Sequence, residues 1–180
     1  MPMKSSLLYN PFNQIAGFSS FIPGLIGLLV ITWLAFITGT HYNGLSHIAF
    51  ARDSEYWFFL TESLSNWFFI AVFMFLSGLS LSKSRIRAID VWGTTLLSRL
   101  PFVITPMIRT LPVFQSFLIQ SWQRYFLHGV YLASLIWFLI LLFHAFKISC
   151  NLKNDKLVAS FIISMVLAEI CTTIFLKSII

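Results

Sequence analysis

Residues 125–146 read YFLHGVYLASLIWFLILLFHAF, with no Asp, Glu, Lys or Arg among them. At 1.5 Å per residue this stretch makes a helix about 33 Å long, enough to cross a hydrocarbon core about 30 Å thick. A helix at the surface of a water-soluble domain keeps a polar face, and this stretch has too few polar residues to supply one. It decides the fold class because four relatives of it fill most of the chain. Residues 21–39 and 63–82 are equally free of charge, and residues 157–176 carry a single internal charge, Glu169. Residues 91–114 are apolar but interrupted by Arg99, Arg109, Pro101, Pro106 and Pro112. The expected fold is all-α: a polytopic membrane bundle of five transmembrane helices, the third broken by proline, over residues 21–180. Residues 1–20 form a short cytoplasmic or interfacial segment ahead of it.

Composition points the same way. The chain is 58% hydrophobic and 10% charged, where soluble domains carry about 25% charged residues. Its mean hydropathy is +0.85 and it holds 20 phenylalanines, which suit lipid-facing and interfacial surfaces. The length, 180 residues, allows one compact bundle and no separate soluble domain.

A net charge of +6 could suggest nucleic acid as a partner, but the basic residues form no patch. They sit in the short connections between spans, where cytoplasmic loops collect Lys and Arg. With the N-terminus inside, the inner side receives Lys4, Lys83, Arg85, Arg87, Lys147, Lys153 and Lys156, and the outer side Arg52, Arg124 and Lys177. The asymmetry predicts a cytoplasmic N-terminus and an external C-terminus. The first span is too long for a signal-peptide core and should serve as an uncleaved anchor. Cys150 is expected in a cytoplasmic loop and Cys171 inside the fifth span, an arrangement that makes a disulfide between them implausible.

The connection from Thr40 to Glu62 is the longest, with a turn expected at Asn43-Gly44 and an interfacial aromatic group at Trp57, Phe58 and Phe59. A second turn is expected at Asn10-Pro11. Small residues mark where helices touch in lipid: Ser160, Ser164, Ala168 and Thr172 make a packing stripe on the fifth span. Gly129 and Ala133 on the fourth span, and Ala35 and Gly39 on the first, share the spacing.

The third span holds the chemistry the sequence offers. Pro101, Pro106 and Pro112 each remove a backbone donor and kink a helix, and a broken helix at membrane depth needs protein or water to satisfy its freed carbonyls. Intramembrane charges are costly and mark either a functional site or a structural pair. Arg99, Arg109 and Glu169 are therefore the candidate intramembrane ion pair or polar site. One version pairs Arg99 with Glu169 while Arg109 snorkels to the outer headgroups. The other makes them a solute or proton path, with Arg as anion hook and Glu as proton carrier.

No metal or cofactor is expected. His41 and His47, near Asp53, Glu55 and Glu62, fit no ligand spacing and read as loop histidines; His128 and His144 read as interfacial anchors. No catalytic residue is assigned, because no nucleophile elbow, zinc-protease motif, phosphate loop or pair of membrane-embedded aspartates is present.

The segment Asn10-Pro11-Phe12 ahead of five spans, the Arg99-Leu100-Pro101 step and the run Ile136-Trp137-Phe138-Leu139-Ile140-Leu141-Leu142 before a short basic loop together resemble the Yip family. These are the Ypt/Rab-interacting membrane proteins, here in a short bacterial form. Thr38 to Gly44, Thr-Gly-Thr-His-Tyr-Asn-Gly, is similar to the bacterial branch. The resemblance implies a five-helix bundle with a cytoplasmic N-terminus. The expected function is a non-enzymatic inner-membrane protein that organises partner proteins or lipid through its helix faces, with membrane lipid and a membrane-protein partner or a second copy as binding partners. The alternative is a transporter or permease component with a path lined by Arg99, Arg109 and Glu169.

Overall fold

The computed structural model describes residues 11–13, 17–44, 47–51, 55–82, 84–114 and 121–179. Five helical stretches are long and apolar enough to cross a membrane. The chain is an all-α, multi-pass integral membrane protein. Helix α1 (Phe18–Thr38) leads into two short strands, β1 (Thr40–Tyr42) and β2 (Ile48–Phe50), followed by α2 (Tyr56–Leu81). The third span is composite: α3 (Ala88–Ser98), a 3-10 segment (Leu100–Val103) and α4 (Ile104–Arg109). Helices α5 (Ser121–Cys150) and α6 (Asn154–Ile179) complete the bundle.

The third span is the core. Every residue from Gly93 to Arg99 is buried, because α1 packs along one side of α3 and α5 along another. Gly24 and Gly93 bring α1 and α3 together. A Cβ on Gly24 would stand 2.8 Å from the Leu97 backbone nitrogen, and one on Gly93 2.8 Å from the Gly17 carbonyl oxygen. Only residues without a side chain permit that approach.

Helix α6 lies at the edge, packed mainly on α2 and touching α5 only lightly. Its buried residues are Leu157, Ser160, Ser164, Ala168, Thr172 and Leu176, one narrow face. The hydroxyls of Ser77 on α2 and Ser164 on α6 hydrogen-bond at 2.7 Å. The remaining faces of α6 expose Ile162, Ile163, Val166, Ile170 and Ile174, as a helix sheathed by lipid requires.

Several sequence expectations need correction. Helix α2 begins at Tyr56, not at residue 63, so Trp57, Phe58, Phe59 and Glu62 are helical. The apolar count missed this start because Glu62 reads as a loop residue until its buried partners are known. The third span runs from Ala88 to Arg109 rather than over 91–114, and Pro112 opens a separate 3-10 turn, Pro112–Phe114. Pro112 therefore kinks no span. Pro101 and Pro106 fall within the first turns of new helical segments, where a missing N–H does least harm. Gly129 and Ala133 are exposed, and a Cβ on Gly129 would meet nothing within 4 Å; that small pair makes no helix contact here. Cys150 ends α5 and is fully buried, its thiol 3.9 Å from the Met74 carbonyl oxygen, so it is no loop residue. Asn10 and most of residues 1–20 lie outside the described residues. Phe12, in the turn Pro11–Asn13, is buried against Leu97, Leu141 and Ala145 and so docks on the bundle instead of resting on the membrane face.

Candidate functional site: a hairpin held by a buried polar lock

The connection between the first two spans folds back among the helices. Gly39 caps α1 in the left-handed conformation at φ 61°, cheap only for glycine, and β1 starts at the next residue. Strands β1 and β2 pair antiparallel, with Thr40 opposite Phe50 and Tyr42 opposite Ile48. Gly44, at φ 89°, supplies a second left-handed residue in the turn. The Asn43-Gly44 step is thus a turn in a hairpin whose first strand is fully buried and whose second is half-buried. Residues 45 and 46 lie outside the described residues.

Short strands inside a helical bundle need partners for their outward-facing backbone groups. Helix α2 provides them one turn apart. The Tyr42 backbone N–H donates to Glu62 Oε2 at 3.3 Å, and Asn66 Nδ2 donates to the Tyr42 carbonyl at 2.8 Å. Glu62 Oε1 lies 3.1 Å from His41 Nδ1, and the His41 ring stacks on Phe59 at 4.2 Å. Glu62 and Asn66 are each 1% exposed, so water does not substitute for these bonds. His41 is buried and held by Glu62, which corrects its reading as a loop histidine. Sequence spacing could have found the pair: Glu62 and Asn66 sit at i and i+4, one face of a helix at the head of an apolar run.

The break in the third span is stitched to the same hairpin. Pro106 has no N–H to give to the carbonyl of Phe102, four residues back. The Tyr42 hydroxyl donates to that carbonyl instead, at 2.8 Å. Burial pushes the Tyr42 phenol far above its ordinary pKa, so it stays protonated and keeps its donor. The Tyr42 ring also packs against Phe102 and Tyr131.

Both arginines of the third span reach backbone carbonyls. Arg99, buried, donates from a terminal guanidinium nitrogen to the Ser63 carbonyl at 3.3 Å and lies over the Phe102 ring. Arg109, also buried, donates to the Gly39 carbonyl at 2.7 Å and to Thr40 Oγ1 at 3.3 Å, with the Phe50 ring 4.6 Å beneath its guanidinium. The Gly39 carbonyl accepts from the Ala51 N–H as well, at 2.9 Å. Arg109 clamps the mouth of the hairpin and does not snorkel outward. It can do so because carbonyls left at the end of α1 attract a guanidinium as well as headgroups do. Glu169, half-buried on α6, lies beside the hairpin turn: a Cβ on Gly44 would stand 2.7 Å from its Oε1. The three charges singled out in the sequence thus surround one structure, Arg99 at the helix break, Arg109 at the hairpin mouth and Glu169 at its tip.

Among the described residues no group of three or more His, Cys, Asp or Glu side chains is placed to hold a metal ion; Asp53 lies outside them. What the site's donors and acceptors do is hold a hairpin against four helical segments. No family model, no curated protein and no solved structure matches the chain.

Proposed function

We propose that the chain is a non-enzymatic inner-membrane protein of the Yip type, with its N-terminus cytoplasmic and C-terminus external, that organises partner proteins or lipid through its helix faces. One observation carries the reading: the buried side chains of Arg99, Arg109, Glu62 and Asn66 each bond the protein's own backbone. Arg99 binds the Ser63 carbonyl, Arg109 the Gly39 carbonyl, and Glu62 and Asn66 the Tyr42 peptide. Groups so used fix a shape, whereas a transport path needs polar side chains free to exchange their partners for a solute. The shape so fixed presents the outer faces of α6 and α5 to the membrane. The charge asymmetry of the loops supports the orientation, and the Arg99-Leu100-Pro101 step at the helix break supports the family reading.

Accessibility separates this from a transporter. Ser98, fully buried in α3, is replaced by cysteine together with Cys150→Ala and Cys171→Ala, and the protein in native membranes is treated with a water-soluble thiol reagent from each side. A scaffold leaves Ser98→Cys unlabelled, and capture of the tagged chain in mild detergent retains a reproducible set of proteins or lipids. Rapid labelling from either side would reveal a water-filled path and favour the permease.

A further inference from the structure

We propose that the groove between α2 and α6, with the basic pocket at its mouth, binds one anionic phospholipid. This deepens the reading of the chain as a protein that engages lipid, by naming the lipid class and its seat. The groove, about 460 Å³, is walled by Phe73, Leu76, Leu81, Ile163 and Leu167, with Lys156 at one end. It exists because α6 packs on α2 through small residues: where Ser77 faces Ser160 and Ser164, no long side chain fills the outer edge of the interface. A second pocket of about 460 Å³ adjoins it, lined by Ser82, Ser84, Asn151, Lys153 and Lys156. The two share Leu81 and Lys156, so an acyl chain lying in the first brings its headgroup to the second.

The chemistry of the second pocket selects the headgroup. Lys153 and Lys156 supply two ammonium groups, and Ser82, Ser84 and Asn151 supply neutral donors, the set a phosphodiester accepts from. Asp155, exposed between the two lysines, offsets part of that charge. Arg85, Arg87 and Lys147 are exposed at the same end of the bundle, where the other carboxylate is Asp90, half-buried in α3. Such a face attracts an anionic leaflet. A soluble phosphate would find the same lysines but no use for the groove, and the continuity of the two pockets favours a lipid.

The full-length chain, purified in neutral detergent and exchanged into mixed micelles of equal phosphatidylglycerol and phosphatidylcholine, is analysed by native mass spectrometry for retained lipid. Wild type should retain phosphatidylglycerol preferentially, and K153Q/K156Q should lower that preference about tenfold without changing the lipid-free melting temperature. Ala159→Phe, which fills the groove one helical turn from Lys156 without removing its charge, should lower retention of both lipids. R85Q/R87Q, at the same end of the bundle but outside the lining of both pockets, should lower the preference much less than K153Q/K156Q does. Equal retention of the two lipids by wild type, an unchanged preference in K153Q/K156Q, an equal loss in R85Q/R87Q, or full displacement by inorganic phosphate would each overturn the assignment. None of those results would disturb protein capture by the chain, which tests the broader reading separately.

Discussion

Glu62 serves three groups at once: the His41 ring, the Tyr42 N–H and, through its place on α2, the register of Asn66 beneath the Tyr42 carbonyl. Glu62→Ala leaves His41 Nδ1 and the Tyr42 N–H buried without their acceptor, which should cost about 2–3 kcal/mol and lower the melting temperature in detergent. Tyr42→Phe makes a narrower test. It removes only the donor to the Phe102 carbonyl, should cost about 1–2 kcal/mol, and should restore flexibility at the Pro101–Pro106 break, read as faster hydrogen exchange there. The two arginines were legible as buried charges because a guanidinium in an apolar span stands out. Their partners were not legible, because Ser63 and Gly39 act through backbone carbonyls that any residue owns. Glu62 stayed hidden for the opposite reason: a carboxylate beside a long connection reads as solvated until that connection is known to be buried.

Between elements, side-chain size decides which helices touch. Small residues at four-residue spacing occur on α1, α5 and α6, yet they behave differently. The Ser160 to Thr172 face is buried on α2, whereas Gly129 and Ala133 face outward. Spacing alone does not say which stripe finds a partner; the length of the connections and the position of α3 in the core do. The crossing of α1 on α3 rests on Gly24 and Gly93, one on each helix. Gly24→Ala should therefore cost about 1–3 kcal/mol, because the new methyl meets the backbone of Leu96 and Leu97. Gly129→Ala adds the same methyl with nothing within 4 Å and should be neutral or stabilising by up to about 1 kcal/mol, from helix propensity. Ala168→Leu, on the buried face of α6, should cost about 1–3 kcal/mol and expose α6 to limited proteolysis. Thermal melting of the three variants side by side checks the set.

For the molecule as a whole, five membrane-crossing helices were written plainly in the hydropathy, since length and apolarity suffice to find a span. The hairpin between the first two was not. Its strands have three residues each, too short for a period-two pattern, and its stability comes from Glu62, Asn66 and Arg109, residues distant in sequence. That buried hairpin turns a set of spans into one shaped body, and it joins the helix break, the end of α1 and the tip near Glu169. Hydrogen–deuterium exchange at residues 39–44 and 48–51 of the protein in lipid nanodiscs tests it most directly. A hairpin locked inside the bundle predicts exchange as slow as that of α3 in the wild type, rising sharply in Glu62→Ala. Exchange in the wild type at the rate of an open loop would contradict it, and would mean that water occupies the space assigned here to the polar lock.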